Sequence, residues 1–455
     1  MAGLAMALAA GRQGIRSIVV ERDAAPLADS PEAAFQATRR GAPQVHQSHG
    51  FLARFTVVLR ERFPDLLDAL LAAGAHSLPL TRDLGEPMPG DEDLAILALR
   101  RTTLEWVLRR AALADRHVEL RNDAAVVGLV GEGAAGPVPH VTGARLDTGE
   151  VLDASAVVAS TGRRGDVPAW LAELGVEVPE TEVDTRLVYL TRWYQRPDDH
   201  VEQLPPRLGG DLQWLKYLAV PCDGGTFSIT LAVPRDDSEL RRTLSDPERF
   251  DQTCRMLTGP KELFDDAPMR PITDVLPMGG LVNRIRRFVD RDGAPLVTGF
   301  HAVGDAHTCT NPLYGRGCSL AFVQATLLAD ALVEHAGDQA AQVVAYEQGS
   351  AREVEPWYHA AVQMDAYRAP EPGAASAGAS GGESPSDLFT RVVIEGGTDP
   401  IIGRAIIRVF NLLVQPQDLM TDTELMARVA PILAKPAPPT PRPAIEGPTR
   451  EEVLA

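Results

Sequence analysis

The chain has 455 residues, 45% hydrophobic and 23% charged, a globular composition with length for two or three domains. Lys plus Arg total 44 against 62 acids, a net charge of −18, which argues against a nucleic-acid partner because that role needs a basic patch. Four cysteines (Cys222, Cys254, Cys309, Cys318) with no CxxC pair argue against a disulfide framework and a paired-cysteine metal site, and fit a reducing, cytoplasmic setting.

In chain order, residues 2–13 read as an alanine-rich helix with Gly11 and Gly14 as stop signals. Residues 16–21 (RSIVVE) form a short β-branched strand ending in Glu21. The opening is not a secretory signal, since Arg12 and Arg16 follow the apolar run instead of preceding it. No stretch reaches ~18 uninterrupted apolar residues, so no integral membrane segment is expected. Apolar spacing predicts helices over 49–73 and, opened by Thr102, over 102–114. Strands are predicted near 117–121, 124–130, 138–146 and 151–160. From 184 to 290 the chain reads as an antiparallel sheet, with a turn at Asp223-Gly224-Gly225 and a helical segment at 238–257. Over 297–337 a strand leads into a long helix. Residues 369–386 are a Pro/Gly/Ser/Ala-rich linker. Helices follow at 387–394, 400–413 and 417–434, then a tail (435–455) expected to be disordered. Only three basic residues are lysine (Lys216, Lys261, Lys435), the bias of a high-GC bacterial genome. There is no internal repeat.

A Rossmann βαβ unit binds a dinucleotide with a glycine-rich turn, a helix N-terminus aimed at the pyrophosphate, and an acid that holds the ribose. Ala2-Gly3-Leu4-Ala5, a small-residue helix and SIVVE match the last third of that device. Gly3 is then the third glycine, and Glu21, 18 positions on, the ribose acid. The first strand and two leading glycines are absent, and about ten residues are expected upstream of Met1. The same residues also read as an alanine-rich helix followed by a strand. Downstream, HAVGDAHTCTNPLYGRGCSLAF (301–322) puts Gly304-Asp305 at a strand tip. It then puts Asn311-Pro312 and Gly315-Arg316-Gly317 ahead of a helix whose N–H groups face any anion there. An ordinary strand–loop–helix crossover is the alternative.

These segments, in this order, resemble the FAD-dependent monooxygenase superfamily of aromatic hydroxylases and epoxidases, over most of residues 1–340. The resemblance implies an α/β fold. Its parts are a Rossmann-like FAD-binding domain (1–183 and 291–340), an antiparallel-sheet substrate domain (184–290) and a C-terminal helical region (341–434). It implies that Gly3 and Glu21 meet the adenosine and pyrophosphate, and that Gly304 and Asp305 meet the ribityl portion. Pro312, Gly315 and Gly317 would flank the isoalloxazine. In RRTTLEWVLRRAA it brings Arg101 to the cofactor rather than Arg100, and in Ala124-Ala125-Val126 it brings Val126 to the adenine. Arg22, Arg40, Gln44 and Gly162 complete the cofactor candidates.

RRGAPQVHQSHGFLARF resembles a stretch of bacterial epoxidase-like and halogenase-like flavoproteins, which makes Gln44, His46 and His49 candidates; surface-loop histidines are the plainer reading. Ala159-Ser160-Thr161-Gly162-Arg163 lacks the Asp-Gly that aromatic hydroxylases use with flavin and NAD(P)H. NAD(P)H is therefore expected to act either directly or through a separate flavin reductase. The Trp-x-Trp-x-Ile-Pro motif of tryptophan-type halogenases is absent, the nearest segment being Trp214-Leu215-Lys216-Tyr217. His301 and His307 bracket Asp305 without metal-ligand spacing, so no metal is expected. Cys309 and Cys318 read as a redox pair or as small buried fillers. Trp193, Tyr194, Trp214 and Tyr217 read as a substrate-pocket wall or as cross-strand packing.

The expectation is an FAD-dependent oxidoreductase, a monooxygenase hydroxylating or epoxidising an apolar or aromatic small molecule. Alternatives are a flavin-dependent reductase of prenyl double bonds, and a flavoprotein-like scaffold with weakened FAD binding. No side chain is assigned as catalytic acid or base.

Overall fold

Alternating helical and strand periodicity builds the first half of the molecule. The computed structural model describes residues 1–24, 26–132, 138–197, 208–368, 385–435 and 447–455. Helix α1 (Ala2–Arg12) buries Ala5 to Gly11 and leads into β1 (Ser17–Glu21). Ser30 caps α2 (Pro31–Gln36). The single helix expected over 49–73 is instead two, α3 (Ala53–Arg62) and α4 (Pro64–Ala72). Proline disfavours helical geometry in the residue before it, so Phe63 (φ −144°, ψ 51°) ends one helix and Pro64 opens the next. β2 (His76–Pro79) and β3 (Ala95–Ala98) pair antiparallel, and α5 (Arg101–Ala114) follows. β4 (Val118–Asn122) runs parallel to β1, with Ser17 opposite Val118. β5 (Val126–Glu132), β6 (His140–Leu146) and β7 (Val151–Asp153) form an antiparallel sheet. The strand expected over 151–160 is therefore split between β7 and β8 (Val157–Ala159).

After α6 (Val167–Ala172) and β9 (Glu180–Asp184), the large sheet begins. It holds β10 (Leu187–Gln195), β11 (Gly209–Asp211), β12 (Lys216–Pro221) and β13 (Thr226–Pro234), all antiparallel. The predicted turn between β12 and β13 closes with Thr226 N donating to Asp223 O. Gly224 and Gly225 both sit at φ +65°, which residues with a Cβ rarely adopt. The helix expected over 238–257 is two, α7 (Ser238–Ser245) and α8 (Pro247–Cys254), because Asp237 and Asp246 each cap a fresh start. A third helix, α9 (Pro260–Asp266), was not foreseen. Tyr194, Phe227, Ile229 and Leu231 join a core with Leu240, Leu244 and Phe250 of α7 and α8. Side chains alternate along a strand, so Tyr189, Thr191, Trp193, Ser228 and Thr230 occupy the other face.

β14 (Arg270–Pro271) and β15 (Leu276–Met278) extend this sheet beside β10. β16 (Val282–Arg286) pairs with β9, β17 (Phe300–Ala302) runs parallel to β8, and β18 (Thr308–Cys309) pairs with β16. Helix α10 (Gly317–Glu334) packs on α1, α3 and the next helix, α11 (Gln339–Glu353). Among the described residues α10 is the one helix long and apolar enough to cross a membrane by length and composition, but 67% of it is buried in the molecule. α12 (Glu355–Arg368) packs against β16. α13 (Pro385–Gly396), α14 (Pro400–Phe410) and α15 (Thr423–Leu433) share a small core around Ile402, Leu425 and Ile432. The last of these starts later than expected because Asp422 is its cap. Most of the predicted linker (369–384) and the tail segment 436–446 lie outside the described residues. The expectation of a disordered tail does not hold at its end: α16 (Arg450–Leu454) has a capping box from Thr449 and Glu452, and Val453 is buried in the core under the large sheet.

Candidate functional site

Three chain segments that sequence analysis singled out come together around the starts of α1, α5 and α10. Gly3 lies where α1 meets the end of β8: a Cβ there would stand 2.5 Å from Ser160 Oγ. Gly304, at φ +62°, is packed as closely, since a Cβ would meet the Ala2 methyl at 2.8 Å. Its N–H donates to Gln324 Oε1 at 2.7 Å, fixing the strand tip against α10. Next to it, burial raises the Asp305 carboxyl above its ordinary pKa, although Arg101, Arg163 and Arg284 pull the other way. The Asp305 Oδ1 lies near the start of α10, 3.9 Å from where a Gly317 Cβ would be.

The glycine turn is built by Asn311, whose side chain accepts from Leu313 N at 3.0 Å. Pro312–Tyr314 make one tight turn, and Gly315 reverses the chain at φ +65°. A Cβ on Gly315 would lie 3.5 Å from the Cα of Gly50, so the turn and the 43–50 loop meet backbone to backbone. The N–H groups of Gly317, Cys318 and Ser319 precede the first α10 hydrogen bond, Leu320 N to Arg316 O, and form the donor-rich helix end.

Arg101 opens α5 and is buried. Its Nε and Nη2 donate to Glu105 Oε1 at 2.9 and 2.7 Å, and its Nη1 lies 3.2 Å from His49 Nε2. Burial opposes ionisation of Glu105, yet the Met1 amine, Arg101 and Arg39 hold its carboxyl well below the usual range. Arg39 joins this cluster to Glu21: its guanidinium reaches Glu105 at 2.9 Å, Glu21 at 3.0 Å and Asp23 at 3.1 Å. Ala124 N donates to Glu21 O at 3.2 Å, so the start of β5, with Val126, adjoins the end of β1. Arg100 turns away to Asp223.

Gly3, Glu21, Arg101, Gly304, Asp305, Gly315 and Gly317 are thus placed around linked elements. Arg22 and Arg40 are exposed, and it is Arg39 that makes the ion pairs beside Glu21. Gln44 lies in the short 43–46 turn, and Gly162 (φ +69°) opens another at 162–164. His49 joins the Arg101 cluster, whereas His46 is occupied structurally, its Nε2 at 2.7 Å from Phe35 O. Sequence reasoning missed Arg39 and Glu105; the i,i+4 spacing of Arg101 and Glu105 was the available signal.

All four cysteines are buried and none is in a disulfide, and burial raises the thiols of Cys309 and Cys318, which disfavours the thiolate that redox exchange uses. No metal-ligating cluster occurs among the described residues. Tyr194 and Tyr217 belong to the core under α7–α9. Trp193 lies on the opposite face and donates to His46 O at 2.7 Å. That face carries apolar Tyr189, Met278, Leu281 and Leu313 beside a row of hydroxyls. In the row, Ser48 lies 2.6 Å from Ser228 and 2.7 Å from Thr230, and Thr191 lies 2.7 Å from Thr230.

The donor set fits FAD. Arg101 and the α10 N-terminus suit a pyrophosphate, while Asp305 and Glu21, the latter oriented by Arg39, suit hydroxyls. Ser319 Oγ and Thr102 Oγ1, in the first turns of α10 and α5, are buried with no hydrogen-bond partner among the described residues. At the Gly50–Gly315 contact the two backbones meet beside the Leu52 side chain.

No family model and no curated protein matches the chain. Solved structures do. PqsL, a probable FAD-dependent monooxygenase from Pseudomonas aeruginosa, aligns with TM-score 0.56 and 20% identity over 80% of this chain and 92% of its own. The p-nitrophenol 4-monooxygenase PnpA from Pseudomonas putida DLL-E4 gives 0.62 and 17% over 91% and 96%. The flavin-dependent brominase Bmp2 gives 0.55 and 16% over 94% and 96%. The chain therefore has the fold of these flavin enzymes.

Proposed function

We propose that this protein is an FAD-dependent monooxygenase acting on an aromatic small molecule. One observation carries the reading: Arg101, the enclosed Asp305 and the donor-rich start of α10 are clustered on the fold of the flavin enzymes. Glu21 and Arg39 would hold the adenosine half, Arg101 and Asp305 the middle, and the Pro312–Gly317 turn the ring. When bound, FAD supplies the redox chemistry with oxygen. The chain's residues bind and orient it, and bury the reacting region from water.

The substrate class is supported by two neighbours and one surface. One PqsL structure holds 2-aminobenzoylacetate, and PnpA is described as acting on p-nitrophenol. The sheet face that meets the glycine turn sets Tyr189, packed with Leu281 and the turn's own Leu313, beside the hydroxyl row of Thr191, Ser228 and Thr230. The hydroxyls are bonded to Gln47 and Ser48 of the 43–50 loop, and the seam between loop and sheet has the mixed polar and apolar chemistry that suits a ring bearing a polar substituent.

Electrons are proposed to arrive from NAD(P)H through a separate flavin reductase, because Ser160-Thr161-Gly162 stands where aromatic hydroxylases carry Asp-Gly. The purified protein should take up FAD and absorb near ~450 nm, the flavin band. It should consume oxygen when NADPH and a flavin reductase are both supplied. A chain that stays colourless after incubation with FAD overturns the cofactor reading. Oxygen consumption with NADPH alone overturns the reductase requirement and leaves the rest.

A further inference from the structure

The glycine turn is held from a distant part of the chain. Asp365, on α12, is buried, and its carboxylate accepts three hydrogen bonds. Asn283 Nδ2 donates at 2.7 Å, Asn311 Nδ2 at 2.9 Å and the Tyr314 hydroxyl at 2.6 Å. Two of those donors belong to the turn itself, and the third, Asn283, sits on β16.

The network closes on itself. Asn283 Oδ1 accepts from Asn311 N at 2.7 Å. Asn311 Oδ1 accepts from Leu313 N and from the Tyr189 hydroxyl of β10. Every side-chain oxygen of Asp365, Asn283 and Asn311 thereby has a donor, and all three residues are buried. Helix α12 also grips the far end of the turn. Arg316 Nη1 donates to Trp357 O at 2.9 Å, and the guanidinium lies 4.8 Å from the Tyr314 ring centre and 5.5 Å from that of Trp357. The helix therefore fixes residues 311, 314 and 316, on either side of the left-handed Gly315.

We propose that Asp365 is a positioning residue that sets the glycine turn, and with it the start of α10, in the geometry that receives the flavin ring. This rests on the FAD reading above. The carboxylate suits the place because all three neighbours point donors at it. An amide cannot replace it: its N–H₂ would confront the Nδ2 of Asn283 or of Asn311, and a buried donor without an acceptor weakens the site. Moving the charge repairs the pattern. With carboxylate at 311 and amide at 365, the new amide oxygen accepts from Asn283. Its N–H₂ donates to position 311, and Tyr189 and Leu313 keep an acceptor; the Tyr314 hydroxyl alone loses its acceptor and must turn its proton away.

The test compares wild type, Asp365→Asn, Asn311→Asp/Asp365→Asn and Tyr314→Phe. FAD affinity is measured by titration, and amide hydrogen exchange at 313–317 is measured on the flavin-free protein. Asp365→Asn should weaken FAD binding by about tenfold, the effect of one unsatisfied buried group, and speed exchange in the turn. The double variant should recover most of both, falling short of wild type by no more than the roughly threefold that the Tyr314 hydrogen bond carries. Tyr314→Phe should lose about threefold in affinity, the scale of one neutral hydrogen bond; it carries the test if Asp365→Asn does not fold. Wild-type affinity and exchange in Asp365→Asn, or in Tyr314→Phe in that event, would overturn the proposal. So would a double variant no better than the single one. If wild type takes up no FAD, the cofactor reading fails, while the flavin-free exchange data still decide whether Asp365 sets the turn.

Discussion

His49 shows how one imidazole can be committed to a single protonation state. Its Nδ1 lies 2.9 Å from Gln47 O and its Nε2 lies 3.2 Å from Arg101 Nη1. Only the neutral ring with its proton on Nδ1 donates to the carbonyl and accepts from the guanidinium. Burial first, and Arg101 second, lower its pKa from 6.5 to about 3. The unfolded chain takes up a proton at this ring below about 6.5 and the folded chain does so only near 3, so stability falls as pH drops through that window. The slope from this group is at most about 1.4 kcal/mol per pH unit. Urea unfolding from pH 6.5 to 4.5 should therefore be flatter for His49→Asn than for wild type, and parallel curves would remove His49 from the acid response. The motif flagged both His46 and His49. Nothing in sequence separates them, because the separation comes from Phe35 O on one side and Arg101 on the other. The same holds for Arg39 and Arg40, adjacent residues of like chemistry that the backbone sends to different places.

At the scale of elements, the β12–β13 turn does more than reverse a hairpin. Asp223 accepts from Arg100 N at 2.6 Å, Arg100 Nη2 at 2.6 Å and the Thr103 hydroxyl at 2.6 Å, so the tip of the large sheet caps the start of α5. Asp223 and Arg100 are both buried, and among the described residues Asp223→Ala leaves the guanidinium with the largely exposed Glu32 at 3.2 Å as its one counter-ion. The expected loss is about 3 kcal/mol, the low end for breaking a buried pair, read as a lower denaturant midpoint with unchanged slope. A loss below about 1 kcal/mol would mean that Glu32 and water satisfy Arg100. The turn itself was legible in Asp223-Gly224-Gly225, since two glycines at φ +65° are what a mirror-type turn demands. Its partner on α5 was not, because 123 residues separate Arg100 from Asp223. The elements themselves were legible where the apolar pattern ran uninterrupted, as in α1, β1, α5 and α10. They were misjudged where a local signal overrode the apolar period. Pro64 cut one helix, and the caps Asp237 and Asp246 cut another.

For the molecule as a whole, the site candidates that sequence exposed are those whose backbone needs show in residue type: Gly3, Gly304, Gly315 and the acids beside them. What it hid is the convergence of remote segments, of which the chain's last residues are the clearest case. Five residues of helix are far too short to persist alone in water, so α16 exists because it docks. Val453 is 3% exposed among Leu212, Leu240, Phe250 and Leu263, and its carbonyl accepts from Arg249 Nη2 at 2.8 Å. Arg450 pairs with Asp237, the cap of α7, and with Glu239. Gly447 fits because a Cβ there would meet Leu212 at 2.8 Å. The tail thus closes the same core that supports the large sheet from behind. Val453→Ala removes two buried methyl groups and should cost about 1–3 kcal/mol, and Val453→Asp should cost more by burying a charge. In Val453→Asp, limited trypsin proteolysis should cut faster at Arg450, and equilibrium unfolding should shift to lower denaturant. If neither the cleavage rate nor the midpoint moves, α16 rests on the sheet domain without stabilising it.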